Sequence, residues 1–288
     1  MSWQGRVLRV NLTRGEVTPE PLNMEWANDF IGERGLGTKY LWENMDPKVD
    51  AMSPDNVLIF ATGPLTGTNA STSGRYAVLT KGPLTGAIAC SNSGGKFGAE
   101  LKYAGYDLLI VEGCSEKPVY LLIEGDEISL QSAEKIWGKT VWETDEWIKK
   151  QHHNPMLKIA TIGVAGERGV RYAAIVNDLH RAAGRSGVGS VMGSKNLKAV
   201  AVRGTSGVKV KDPKRFMQVT NEMKNLLAKD DGGLAKYGTN AMMDTMQEFG
   251  GLPTRNFQEV QFAGYDKVDA KAMLKTDETG HRNLITNK

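Results

Sequence analysis

The sequence predicts an α+β fold in which two similar halves, rich in short strands, are followed by the beginning of an all-α domain. Short apolar strand patterns separated by glycine turns run as far as Gly204. Residues 90–113 and 181–204 can be laid over one another without a gap, which indicates an internal duplication. After Gly204, apolar residues recur at helical spacing instead. We therefore expect one domain at residues 1–208 and a second, helical one at residues 209–288.

The first domain is predicted from strand and turn patterns taken in chain order. Residues 6–12 alternate polar and apolar side chains, and Thr13-Arg14-Gly15 turns the chain back into a β-hairpin. A helix at 24–31 and a glycine turn at 32–37 lead to a second helix. The continuous apolar run 57–62 indicates a strand covered on both faces. Further strands are predicted at 74–80, 108–112, 119–124, 128–130 (with Gly125-Asp126 as a hairpin turn), 157–162, 170–177 and 199–204, and a helix at 141–150.

Two stretches of small residues suggest a site for an anion. The turn at 91–95 runs into a helix start, and residues 181–189 repeat this arrangement in the second half. Backbone N–H groups left free at such a helix start favour an anionic group such as phosphate. Arg75 lies beside the first stretch and Arg181 and Arg185 lie in the second, and guanidinium groups commonly bind phosphate. Two such turns facing one site would suit a two-fold anionic ligand.

Alternatives to an anion site remain open at this point. The glycine turns are also consistent with tight connections in a compact sheet, since the chain has 33 glycines. A nucleotide-binding oxidoreductase is a further alternative, suggested by the spacing of Gly187, Gly189 and Gly193. A dinucleotide-binding unit needs a strand directly before the glycines, however, and here residues 178–186 intervene.

Composition excludes several classes of function. The net charge of +3 with dispersed basic residues does not favour nucleic acid binding. No run of about 20 apolar residues predicts a membrane span, and none after Met1 predicts a signal peptide, so we expect a cytoplasmic protein. The two cysteines, Cys90 and Cys114, are too few to bind an iron–sulfur cluster. No nucleophile–base pair stands out, so no catalytic residue is assigned.

A series of motifs in fixed order between Arg6 and Gly204 points to a known family. They are Gly63-Pro64-Leu65-Thr66-Gly67, Gly74-Arg75-Tyr76, Asn92-Ser93-Gly94-Gly95, Phe97-Gly98-Ala99-Glu100-Leu101-Lys102, Ala104-Gly105-Tyr106-Asp107, His180-Arg181-Ala182-Ala183-Gly184-Arg185 and Met192-Gly193-Ser194-Lys195-Asn196-Leu197-Lys198-Ala199. Through them the sequence resembles the N-terminal domain of the tungsten-containing aldehyde ferredoxin oxidoreductase family. The resemblance continues at Lys236-Tyr237-Gly238-Thr239 and Asn256-Phe257-Gln258.

The resemblance implies two β-sheets with helices, related by a pseudo-two-fold, on which a bis-pyranopterin (molybdopterin-type) cofactor lies. In such a cofactor two pterin dithiolenes hold one tungsten, or molybdenum, and magnesium bridges the pterin phosphates. The backbone carbonyls of Asn92 and Ala182 are expected near the magnesium. Arg75 and Arg181 are expected on the pterins or phosphates. The remaining donors implied by the resemblance are Ser93, Gly94, Gly184 and Arg185.

The resemblance also implies a reaction and partners. The metal oxidises an aldehyde to a carboxylic acid, and electrons leave singly through a 4Fe-4S cluster to ferredoxin or an iron–sulfur subunit. The cysteine ligands of that cluster are absent from this chain, which stops at Lys288. We therefore expect it to be incomplete alone, with the missing helical domains or a second polypeptide supplying the rest. The alternative is a non-catalytic truncated fragment or assembly module of such an enzyme.

Overall fold

The computed structural model describes residues 2–125, 127–229 and 232–276. The chain divides into two compact units between Met217 and Gln218. The first unit contains both β-sheets, and the second is helical. The predicted fold class, two sheets with helices followed by a helical segment, is therefore confirmed. The predicted domain boundary near residue 208 stays a prediction.

The first sheet is built from six strands of the first half. They are β1 (Arg6–Asn11), β2 (Glu16–Pro21), β3 (Leu58–Thr62), β4 (Tyr76–Lys81), β5 (Ile88–Ser93) and β6 (Leu108–Glu112). Their order is β2-β1-β6-β3-β4-β5. The pair β1 and β6 is parallel, and the other neighbours are antiparallel. The sheet therefore ends on the predicted hairpin at one edge and on β5 at the other.

The second sheet is built from six strands of the second half. They are β7 (Val119–Glu124), β8 (Glu127–Ser132), β9 (Lys158–Thr161), β10 (Ile175–Asn177), β11 (Arg181–Ala183) and β12 (Leu197–Arg203). Read from its hairpin, the order is β8-β7-β12-β9-β10-β11. The pair β7 and β12 is parallel, and the other neighbours are antiparallel.

The two sheets thus share one plan. In each, a hairpin forms one edge, its first strand pairs in parallel with the sixth strand, and the fifth strand forms the other edge. The helices α3 (Phe97–Tyr103) and α6 (Val188–Ser194) occupy the same positions in the two stretches that superpose by sequence. This agreement supports an internal duplication, which stays an inference.

The main core lies between the sheets. The helices α3 and α6 each contact strands of both sheets, so they form a layer between them. Phe97 of α3 packs against Phe60 and Tyr76 of the first sheet, with ring centroids 5.9 Å and 5.0 Å away. Residues of the second sheet such as Leu121 and Val200 belong to the same buried cluster. Apolar burial on this scale holds the two halves together as one unit.

Each sheet is covered on its other face by helices. The helices α1 (Met24–Phe30) and α2 (Glu33–Asn44) pack on the first sheet, and α4 (Val141–Gln151) packs on the second. A capping box of Thr140 and Glu143 starts α4. Between β9 and β10 lies one short helix, α5 (Val164–Glu167).

Several sequence-based assignments need correction. Residues 91–93 and 181–183 are not turns, because they pair with neighbouring strands as parts of β5 and β11. Only Ile175–Asn177 of the strand predicted at 170–177 forms a strand. The glycine turn predicted at 32–37 is mostly the start of α2.

The glycines of α2 have a packing reason instead. An ideal Cβ on Gly35 would collide with the Phe30 carbonyl, and one on Gly37 would collide with Leu79. The continuous apolar strand predicted at 57–62 is confirmed, because β3 is buried along its whole length. The hairpin turn predicted at Gly125-Asp126 involves Asp126, which lies outside the described residues.

The helical segment begins as predicted. The side chain of Asp212 accepts a hydrogen bond from the Arg215 N–H at 2.9 Å, and Pro213 is the first residue of α7 (Pro213–Lys229). It is followed by α8 (Gly233–Tyr237), a 3₁₀ turn (Gly238–Met242), α9 (Met243–Glu248), a second 3₁₀ turn (Tyr265–Lys267) and α10 (Ala270–Leu274). Within the described ranges, none of the helices combines the length and the apolar character needed to cross a membrane.

Candidate functional site

The two small-residue stretches meet at the edges of the two sheets. The edge strand β5 contacts the edge strand β11. The backbone N–H of Arg185, just after β11, donates a 3.0 Å hydrogen bond to the hydroxyl oxygen of Ser91 in β5. Residues predicted for one site therefore come together from both halves of the first unit.

The first half contributes a hydrogen-bonded row of polar side chains. The guanidinium of Arg75, directly before β4, donates to the side-chain oxygen of Asn92 in β5. The amide nitrogen of Asn92 in turn donates to the Glu33 carboxylate at 3.2 Å. Arg75 is exposed, whereas Asn92 and Glu33 are half-buried. This row orients the amide of Asn92 and holds the guanidinium of Arg75 at the sheet edge.

The second half contributes an exposed basic stretch. Arg181 and Ala182 lie on β11, Gly184 and Arg185 follow it, and all four are exposed. Two arginines of the second half thus lie on or directly after the edge strand β11, which contacts the edge strand β5 of the first half. Such a set of cations suits a ligand with more than one phosphate.

Open space lies beside two glycines of the site. An ideal Cβ on Gly94 would meet no atom within 4 Å, and one on Gly184 would meet only the Ala182 Cβ at 3.8 Å. A planar group can therefore approach the backbone at both glycines. Ser93 differs, because it is buried and its hydroxyl donates to the Asn177 side-chain oxygen at 2.7 Å.

The backbone carbonyls of Asn92 and Ala182 are the oxygens that the sequence resemblance assigns to a magnesium ion. Asn92 and Ala182 each lie on an edge strand, where half of the backbone groups have no ladder partner. Carbonyl oxygens are suitable ligands for a hard divalent cation. Within the described residues there is no cluster of three His, Cys, Asp or Glu side chains that could hold a metal. The assignment of Asn92 and Ala182 as magnesium ligands therefore stays a prediction.

The start of α3 differs from the expectation. We expected its backbone N–H groups to be free for a ligand, but Lys96 N–H donates to the Asp178 carboxylate at 2.7 Å. Phe97 N–H approaches the same oxygen at 3.4 Å. An internal carboxylate from the second half thus occupies the position proposed for phosphate. The arginines and the open glycines remain as candidate features for binding an anion.

Sequence reasoning missed Glu33. A cavity of about 270 Å³ lies beside Glu33 and Arg75 and is also lined by Gly63, Pro64 and Thr66. Burial raises the pKa of Glu33, and the nearby Arg75 and Arg34 oppose that rise. The only feature of the sequence that could have indicated Glu33 is its position directly after Gly32 in the glycine-rich segment.

Several residues near this edge have a strained backbone. Ile31 and Glu33 have positive φ angles of 64° and 41°, and Asp178, Leu179 and Ser186 have φ angles of 47°, 62° and 63°. Such conformations cost about 1–3 kcal/mol each and persist only where the surroundings enforce them. They are typical of functional sites.

The chain is similar to known proteins along almost its whole length. The family model for the N-terminal domain of aldehyde ferredoxin oxidoreductase matches residues 7–204, and the model for its domains 2 and 3 matches residues 218–283. The tungsten-containing aldehyde ferredoxin oxidoreductase of Pyrococcus abyssi is 54% identical over 287 residues, which are 99% of this chain and 46% of that protein. The enzyme of the same name from Thermococcus kodakarensis is 52% identical over 93% of this chain and 45% of its own. The chain spans about half the length of the curated relatives it matches.

A solved structure shows the same fold. It is the active site complex BamBC of benzoyl coenzyme A reductase in complex with 1,5-dienoyl-CoA, with a TM-score of 0.78 and 39% identity. The match covers 81% of this chain and 36% of that one. The resemblance inferred from the sequence motifs is confirmed by the family models. The chain belongs to the aldehyde ferredoxin oxidoreductase family.

Proposed function

We propose that this chain is the cofactor-binding part of an enzyme that oxidises aldehydes to carboxylic acids with ferredoxin as electron acceptor. Its relatives are named tungsten-containing aldehyde ferredoxin oxidoreductases. The observation that carries the proposal is the junction of β5 and β11, where the Arg185 N–H binds the Ser91 hydroxyl. That junction brings the edge strands of both halves into contact, which supports a cofactor bound by both halves.

The proposed ligand is a tungsten, or molybdenum, bis-pyranopterin whose phosphates are bridged by magnesium. Arg75 and Arg181 bind the pterins or phosphates, one from each half. Gly94 and Gly184 let the ligand approach the backbone, because a Cβ there would occupy open space. The carbonyls of Asn92 and Ala182 hold the magnesium. Ser93 contributes through its backbone, and Arg185 through its side chain.

The bound cofactor supplies the redox chemistry: an aldehyde gains the oxygen of water and gives up two electrons and two protons. The residues of this chain bind and orient the cofactor at the sheet edge. The substrate pocket and the 4Fe-4S cluster that passes single electrons to ferredoxin belong to the remainder of the enzyme. We assign the pterin site to a base domain at residues 1–208, followed by the start of a helical domain at 209–288. We expect the enzyme to be cytoplasmic.

The proposal is tested on the holoenzyme that contains this chain, isolated from cells supplied with tungstate. Pterin is measured by fluorescence after oxidative release, and tungsten by elemental analysis. We expect Arg75→Ala and Arg181→Ala each to weaken the affinity for the cofactor about tenfold, the effect of one lost charge-assisted hydrogen bond, and thereby to lower the pterin content. Arg14→Ala is the matched control, because Arg14 is exposed in the β1–β2 turn and pairs only locally with Glu16 at 2.8 Å.

The outcomes separate the alternatives. A wild-type enzyme without pterin, or site variants with wild-type pterin content, would overturn the proposal. A pterin-loaded enzyme that reduces no ferredoxin with any aldehyde would instead support the non-catalytic assembly module.

A further inference from the structure

The side chains of two consecutive residues of the second half, Asn177 and Asp178, form hydrogen bonds with the loop at residues 93–97 of the first half. Asn177 ends β10 and is 1% exposed. Its side-chain oxygen accepts hydrogen bonds from the Tyr76 hydroxyl at 2.9 Å and the Ser93 hydroxyl at 2.7 Å. Its amide nitrogen donates to the Gly94 carbonyl at 2.9 Å. One buried amide thereby fixes the residues on both sides of the Ser93–Gly94 peptide.

Asp178 fixes the next part of the same loop. Its Oδ2 accepts hydrogen bonds from the Lys96 N–H at 2.7 Å and from the Asn177 amide at 2.7 Å. Phe97 N–H lies 3.4 Å from the same oxygen. The carboxylate is therefore a cap for α3 that is supplied by the other half of the unit.

The fit between the pair and the loop is tight. Gly95, with φ at +90°, lies so close that an ideal Cβ on it would collide with the Asp178 carboxylate and lie 2.8 Å from the Asn177 amide nitrogen. Asp178 itself has a positive φ of 47°. The strain at Asp178 and the absence of a side chain at Gly95 are both explained if this contact must be maintained.

The positions that the pair controls are those of the proposed ligand site. Asn92 directly precedes the fixed segment, and Gly94 lies within it with open space on its other side. The backbone of Asn177 pairs with that of Arg181 between β10 and β11. Among the described residues, the side chains of the pair make no hydrogen bond to Arg75, Arg181 or Arg185, so their effect on a ligand is indirect.

We propose that Asn177 and Asp178 are positioning residues for the pterin site, and this inference rests on the proposed function. Through contacts made from the second half, they fix the backbone conformation of residues 92–97 in the first half. Asn92 and Gly94 are therefore in the binding geometry before the cofactor arrives. A preorganised site avoids the cost of ordering the loop on binding. Retention of the cofactor therefore depends on the pair more strongly than folding does.

The experiment uses the holoenzyme and its cofactor-free form. The variants are Asp178→Ala, Asp178→Asn and Asn177→Ala. The control is Thr140→Ala, which removes the side-chain cap of α4, on the outer face of the second sheet. Three quantities are measured: pterin per folded chain, the Tm of the cofactor-free protein, and amide hydrogen exchange at Lys96 and Phe97.

For Asp178→Ala we expect exchange at Lys96 and Phe97 to rise and pterin per folded chain to fall about tenfold, as for loss of a hydrogen bond to a charged group. Asp178→Asn keeps an acceptor oxygen. Compared with Asp178→Ala, we therefore expect slower exchange at Lys96 and Phe97 and a higher pterin content per folded chain. Asn177→Ala is expected to act like Asp178→Ala. Thr140→Ala is expected to lower Tm with unchanged pterin per folded chain.

This inference would be overturned if a variant of Asn177 or Asp178 had a lowered Tm, like Thr140→Ala, but the pterin content of the wild type. The proposed function would then still stand. Wild-type enzyme that carries no pterin would overturn both.

Discussion

The backbone N–H of Arg185 donates to the hydroxyl of Ser91 across 3.0 Å, although the two residues are 94 positions apart in the chain. Ser91 is 2% exposed, so this contact is made where water has little access. It links the edge strand β5 to the residues that directly follow the edge strand β11. The stability of this junction can therefore be tested separately from ligand binding.

Replacing Ser91 by Ala should weaken the junction. We expect the free energy of unfolding to fall by about 1 kcal/mol, the net contribution of one hydrogen bond whose partner is left partly buried. Hydrogen exchange of the Arg185 amide should become faster. The control is Ser132→Ala, since Ser132 is exposed and its hydroxyl makes only local contacts with Glu134. Unchanged exchange at Arg185 would contradict the prediction.

The neighbouring glycines Gly94 and Gly95 should respond differently to an added methyl group. Gly94→Ala meets open space, so we expect unfolding free energy within about 0.5 kcal/mol of wild type. Its pterin content should nevertheless fall, because the methyl group occupies the approach of the ligand. Gly95→Ala combines a left-handed φ with a collision at Asp178, and should destabilise by about 2 kcal/mol or more. Urea unfolding measures the stability of the two variants, and pterin fluorescence measures their cofactor content. Equal stability of Gly94→Ala and Gly95→Ala would contradict the prediction.

Much of the fold could be predicted because its signals are local. The apolar run of β3 and the cap at Asp212 each depend on neighbouring residues only. The equivalent positions of the helices α3 and α6 could be predicted because the two stretches of sequence that contain them can be superposed. Where the prediction was wrong, as for β5 and β11, polar and small residues form edge strands. Such residues have low strand propensity, and their pairing partners lie elsewhere in the chain.

The site could be predicted only in part for the same reason. Arg75 and Arg181 stand in recognisable motifs, whereas Asn177 and Asp178 act on residues more than eighty positions away. Nothing in a strand that ends at Asn177 and is followed by Asp178 indicates that these side chains bind a loop and cap a helix of the other half. Likewise, Lys198 lies in β12 without any local sign that its side chain is buried.

The buried Lys195 should make stability depend on pH. Its ammonium donates to the carbonyls of Gly113 at 3.0 Å and Pro54 at 3.2 Å, and also to that of Asn56. Burial lowers the pKa of Lys195 from 10.5 to about 8, while Cys114 and two carboxylates oppose this. Between about pH 8 and 10.5 the unfolded chain binds more protons here than the folded chain. The free energy of unfolding therefore rises with pH, by at most about 1.4 kcal/mol per pH unit.

The measurement compares urea unfolding of wild-type Lys195 and Lys195→Met at pH 8 and pH 9.5. Both are made in a Cys114→Ser background, because burial raises the pKa of Cys114 and its titration would overlap. The free energy of unfolding of the protein with Lys195, measured relative to that of Lys195→Met, should increase as pH rises. A difference independent of pH would show that Lys195 keeps its proton throughout.

The ion pair of Lys198 and Glu167 should be strongly coupled. The two side chains are 0% and 3% exposed, and Lys198 also donates to the Lys139 carbonyl at 2.9 Å. Burial lowers the pKa of Lys198, and Glu167 opposes that shift. Lys198→Met or Glu167→Gln alone leaves one buried charge unpaired, and should cost about 3–5 kcal/mol. The double variant removes both charges, and Gln at position 167 can still accept the Gly138 N–H that Glu167 binds at 2.8 Å. We therefore expect it to be more stable than either single variant in urea unfolding; losses that simply add would show that the pair is not coupled.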